Sequence, residues 1–166
     1  TFLTDDVITP WIICQREHCG SKETAGGADA NASPPIMTVP LIREFCQRYI
    51  HRLEEAVGQV RLAALWGESF LADPNELLKI KCDVFPGMLQ ALDPDATELG
   101  TGIYRACADS HDAVLVAGLD AGLLATAPTG EIAARAQPLL TEAAGDGRFG
   151  PFLHAVAYHT PPDHDP

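Results

Sequence analysis

Between Thr38 and Ala72 apolar side chains recur at three- and four-residue intervals: Ile42, Cys46, Tyr49, Leu53, Val57, Val60, Ala64 and Leu71. Arg43, Arg48, Arg52, Glu55 and Arg61 fall mostly on the other side. That is the pattern of an amphipathic helix that buries one face. Such a face needs a second apolar surface to cover it, so the stretch predicts a helical globular domain. Thr38 is placed to cap the helix, and Pro40 is tolerated in its first turn. Gly58 and Gly67 allow a break or bend, and Asp73-Pro74 ends the segment.

The same signals recur downstream. Asp73 as N-cap, Pro74 at the first position and Glu76 at the third predict a helix through Lys81, kinked or ended at Pro86-Gly87. Over residues 95–126, Ile103, Tyr104, Cys107, His111, Val114, Leu115, Gly118 and Leu119 form a wide apolar stripe, read as one or two helices. Thr129 is placed to cap a further helix over residues 130–144, and Phe152 to His159 forms a last segment. The expected fold is all-α, an irregular bundle of about five or six helices. The alternative is α+β, with short strands near 113–126 and 152–159. In that alternative Ala113–Ala117 and Leu123–Thr126 flank Asp120-Ala121-Gly122, and Phe152–Tyr158 alternates as a strand. Abundant Ala and scarce Thr and Ile favour helix.

A chain of 166 residues reads as a single domain, 1–166, long enough to bury a core. Residues 20–35, rich in Gly, Ala, Ser and Pro, read as a flexible loop, and 160–166 as a frayed tail. The formal charge is −12. Residues 82–166 carry twelve acidic and three basic side chains, against eleven and eight in residues 1–81. Such a surface repels phosphate backbones and anionic membranes, so neither nucleic acid nor membrane is an expected partner. No apolar run approaches the roughly 20 residues of a membrane span. A basic protein partner or a small-molecule ligand is compatible with this charge, and so is an oligomer. Five scattered cysteines and no visible signal peptide point to reduced thiols and a cytoplasmic setting.

Three groups of residues carry candidate chemistry. Cys14, His18 and Cys19 offer thiolate and imidazole ligands of the kind zinc takes, although no second clustered pair completes the set. Cys107 and His111 lie four apart, on one face of a helix, where an imidazole beside a thiol can act as its base. Tyr104, Leu115 and Gly118 share that stripe and are the expected lining of a ligand pocket, with Gly118 leaving room beside it. His154 and Tyr158 are again four apart and suit proton transfer. His51 falls on the polar face of the long helix. No GxGxxG, Walker loop, GxSxG or HExxH occurs.

The leading functional expectation is therefore a small organic ligand held in a core pocket, bound or transformed by acid/base chemistry through His111, Cys107, His154 and Tyr158. The alternatives are an interaction module that sets its acidic half against a basic partner, and a metal-binding protein built on Cys14, His18 and Cys19. The sequence decides neither which cofactor, if any, the chain uses nor whether it is an enzyme.

Overall fold

The computed structural model describes residues 25–28, 33–57, 60–63, 65–119 and 121–153. The chain forms two compact units, Thr1–Pro86 and Gly87–Pro166.

In the first unit β1 (Ala25–Ala28) pairs in parallel with β2 (Val60–Ala63), Ala25 opposite Val60 and Ala28 opposite Ala63. The connection is helical: α1 (Val39–Ile42), a π-helical turn over Arg43–Gln47, and α2 (Arg48–Val57). A 3-10 turn (Glu68–Phe70) and α3 (Asn75–Val84) complete the unit. Val39, Ile42, Cys46, Ile50 and Leu53 pack with Leu65, Leu77, Ile80 and Val84 in one apolar core.

The buried series departs from the sequence reading at one position. Ile50 is buried where Tyr49 was expected, and Tyr49 is half-buried with the Arg52 guanidinium 5.1 Å from its ring centroid. The helix also ends at Val57 rather than near Ala72, because Val60–Ala63 is a strand. A further strand, β1, lies inside the stretch expected as a loop. The start of α3 follows expectation to within two residues: Oδ1 of Asp73 accepts the Asn75 backbone N–H at 3.0 Å.

The second unit is built on a parallel sheet of three strands in sequence order: β3 (Met88–Leu92), β4 (Val114–Leu119) and β5 (Phe149–Leu153). Leu89 pairs with Leu115, and Leu115 with Phe149. Helices α4 (Asp95–Leu99) and α5 (Thr101–Ser110) connect β3 to β4; α6 (Ala121–Thr126) and α7 (Thr129–Gly145) connect β4 to β5. This is the βαβ arrangement that parallel strands require. Leu89, Ala91, Leu115, Ala117 and Phe149 are buried on one face of the sheet, and the buried side chains of α5 are Tyr104, Cys107 and Ala108. Helix α7 buries no residue fully; Ile132, Ala136 and Leu139 form its half-buried stripe.

The chain is thus helix-rich, as expected, but the all-α reading holds only in part, and the α+β alternative fits. The reason is physical. Strands of a parallel sheet are buried on both faces and read as unbroken apolar runs, which periodicity does not separate from a buried helix. Even the alternative had the wrong partners: Leu123–Thr126 belongs to helix α6, and the neighbour of β4 on the far side is β5, in parallel. Among the described residues no helix is long and apolar enough to cross a membrane.

Candidate functional site

In sheets made of βαβ units the strands all point one way, and the loops at their carboxyl ends open together. Ligands bind at that edge in open α/β sheets and in α/β barrels alike. Here the carboxyl ends of the three strands are Leu92, Leu119 and Leu153. The next residue in sequence is Asp93, Asp120 and His154 respectively. In sequence, a titratable residue therefore follows the last described residue of each strand. Asp120 and His154 themselves lie outside the described residues.

Asp93 is held from two sides. The Thr97 hydroxyl donates to its Oδ1 at 2.6 Å. Nη2 of Arg135, reaching across from α7, donates to its Oδ2 at 2.9 Å and also to the Thr97 hydroxyl. The carboxylate is nearly buried while the arginine is more than a third exposed. Both contacts of Arg135 use one nitrogen, and among the described residues Nη1 and Nε have no further partner. A fixed, charge-paired carboxylate next to spare guanidinium donors is suited to orienting a polar ligand. Asp95 is buried in the first turn of α4, a short distance along the same loop.

Cys107 and His111 do come together, at the opposite edge. His111 follows the last residue of α5, and β4 starts at Val114, so the pair stands at the amino end of the sheet. Sγ of Cys107 is 3.7 Å from Nδ1 of His111. Nδ1 also lies 2.9 Å from the Cys107 carbonyl oxygen. The Ser110 hydroxyl, 2.9 Å from the same nitrogen, gives its hydrogen to that carbonyl at 2.8 Å, so both neighbours of Nδ1 accept and Nδ1 carries the proton. The nitrogen nearest the thiol is then a donor rather than a base. Backbone N–H and ring together tie His111 back to the last turn of α5, as helix C-terminal residues commonly do.

The expected lining separates as well. Tyr104 and Leu115 are fully buried in the packing of the unit. Leu115 and Gly118 would share a helix face, but in a strand they are three apart and point to opposite faces. Cys14, His18, Cys19, His154 and Tyr158 lie outside the described residues. Asp93, Thr97 and Arg135 were missed by sequence reasoning. The available signal was an aspartate directly after the mostly apolar stretch Met88–Leu92.

The first unit contributes a buried ion pair. Nζ of Lys81 on α3 donates to Oε1 of Glu68 in the 3-10 turn at 2.5 Å, with side chains 6% and 1% exposed. Close to Glu68 in sequence, Trp66 donates its backbone N–H to the buried Ser33 hydroxyl at 3.1 Å. Comparison with protein-family models, with curated proteins and with solved structures gives no match.

Proposed function

We propose that the chain binds a small polar organic molecule at the carboxyl edge of β3, β4 and β5 and acts on it by proton transfer. One observation supports this reading: each of the three parallel strands, as described, is followed in sequence by a titratable residue, on the side where such sheets take ligands. In this reading His154 is the proton carrier, since imidazole titrates nearest neutrality. Asp120, which follows β4 in sequence, is the carboxylate this reading assigns to it. Asp93, fixed by Thr97 and Arg135, orients the ligand together with the spare donors of Arg135. Tyr158 is a second candidate for the same proton path. Cys107 and His111 are given no part at this edge, because they stand at the other end of the sheet.

Two other readings rest on sequence alone. The acidic balance of residues 82–166 suits a basic partner, and Cys14, His18 and Cys19 suit a soft metal.

The test is a ligand screen by saturation-transfer NMR on the full chain, using small carboxylic acids, amines and sugars. The reading expects a hit whose affinity falls at least about tenfold, or about 1.4 kcal/mol, in Arg135→Ala and in His154→Ala. His111→Ala should leave that affinity within twofold. A ligand released by His111→Ala and retained by the edge variants would overturn the assignment.

A further inference from the structure

His51, set aside by its position on a polar face, stands between carboxylates from two helices. Its Nε2 lies 2.6 Å from Oδ2 of Asp83 on α3. Its Nδ1 lies 3.3 Å from Oε2 of Glu54, one turn along α2. Nε2 of Gln47 donates to the same Asp83 oxygen at 2.7 Å. The side chains of His51, Glu54 and Asp83 are 41%, 28% and 43% exposed, so protons exchange freely with solvent.

The geometry selects a protonation state. An ionised carboxylate only accepts hydrogen bonds, and each ring nitrogen faces one. Only the doubly protonated imidazolium donates to both. A neutral ring turns a nitrogen lone pair toward a carboxylate oxygen and loses one contact, whichever tautomer it adopts.

We propose that His51, Glu54 and Asp83 form a proton-operated strap that ties α2 to α3 when the imidazole is charged and loosens when it is neutral. This inference lies in the first unit and does not depend on the ligand site proposed above. Partial burial pulls the His51 pKa down, but the hydrogen bonds to Asp83 and then Glu54, with the charges of both, outweigh it and leave the pKa above its ordinary 6.5. The sign follows from linkage. A histidine with a raised folded-state pKa contributes stability that is fully present below its ordinary value and is lost as pH rises through the raised value. Other charges on the packed elements are Arg48 and Glu55 one turn either side on α2, and Lys79 one turn before Asp83 on α3. The π turn brings Glu44, and Arg43, whose Nη2 lies 3.5 Å from Glu76 of α3. The two carboxylates in contact with the ring are Asp83 and Glu54.

The experiment is a two-part NMR measurement on the full chain: titration of the His51 ring, and hydrogen exchange of the α2 amides. His51 should titrate above 6.5. The opening equilibrium of α2, corrected for intrinsic exchange, should rise about three- to tenfold between roughly pH 5.5 and pH 8.5, a modest change because the pairs are exposed. That rise should vanish in His51→Gln and in Asp83→Asn, and shrink at high salt. A His51 titration at or below 6.5, or the same rise in His51→Gln, would overturn the proposal. The wild-type titration decides on its own if either variant fails to fold.

Discussion

The guanidinium of Arg105 lies 5.3 Å from the centroid of the Phe149 ring, and this contact identifies the face of the sheet that α5 covers. Phe149 is in register with Leu115, and Leu115 with Leu89, so the three share one face. The same guanidinium donates to Asp146 at 2.7 Å and to Glu142 on α7. One side chain thus joins the helix before β4 to the helix and the strand that follow it. Arg105→Ala should destabilise the second unit by about 1–3 kcal/mol, reduced from a buried value because the side chain is partly exposed. Arg105→Lys should recover little of this, since an ammonium cannot hold two carboxylates and an aromatic face in one planar fork. Urea denaturation with hydrogen exchange at the Phe149 amide checks both; wild-type protection in Arg105→Ala would deny the contact any role.

The sheet face should be far less tolerant than the outer helix. Leu115 is fully buried, while Leu140 on α7 is 52% exposed. Leu115→Ala is expected to lower stability by about 2–5 kcal/mol. Leu140→Ala should change it by less than about 0.5 kcal/mol. Thermal melts of the two variants, side by side, test the assignment of inside and outside.

The Lys81–Glu68 pair predicts a characteristic non-additivity. Removing either partner leaves a charge buried, so Lys81→Met or Glu68→Leu alone should cost about 3–5 kcal/mol. The double variant should return most of that loss, since apolar replacement of both members of a buried pair is often neutral. A double-mutant cycle from denaturant midpoints measures the coupling. Simple additivity of the two losses would mean that the charges do not act together.

Cys107 should behave as a packing residue. Its thiol is buried, and the nearest imidazole nitrogen is engaged as a donor to a carbonyl. Alkylation of Cys107 under native conditions should be slow, and His111→Ala should leave that rate within about twofold, because no base activation is being removed. Peptide mapping after timed iodoacetamide treatment reads the rate at this position. A large fall in rate on losing His111 would reinstate the pair as reactive chemistry.

What was legible in the sequence was local. The Asp73-Pro74 start of α3 is written in cap chemistry, and the series Ile42, Cys46, Leu53 marks a buried helix face. What was not legible required partners distant in sequence. Val60–Ala63 continues the helical spacing, and only its pairing with Ala25–Ala28 makes it a strand. Met88–Leu92, apolar but for Gln90, and Val114–Leu119 are runs whose identity is settled by lying beside one another. The candidate site followed the same rule. His154 was noticed for its residue type, whereas Asp93 and Arg135 acquire meaning only when α7 folds back onto the turn after β3. Cys107 and His111 were paired on spacing, yet the role of the imidazole depends on a backbone carbonyl that spacing does not reveal.

Gly67 ties two distant stretches of sequence into one unit of inheritance. Its φ of 93° is in the left-handed region, and a Cβ there would lie 2.4 Å from the carbonyl oxygen of Pro34. No rotamer relieves that collision, because the obstacle is main chain. Any lineage that replaces this glycine must first move the Ser33-Pro34 backbone, and with it the hydroxyl that holds Trp66. The two segments are therefore expected to change in concert or not at all, and a swap of either one alone between diverged copies of this chain should fail at the junction.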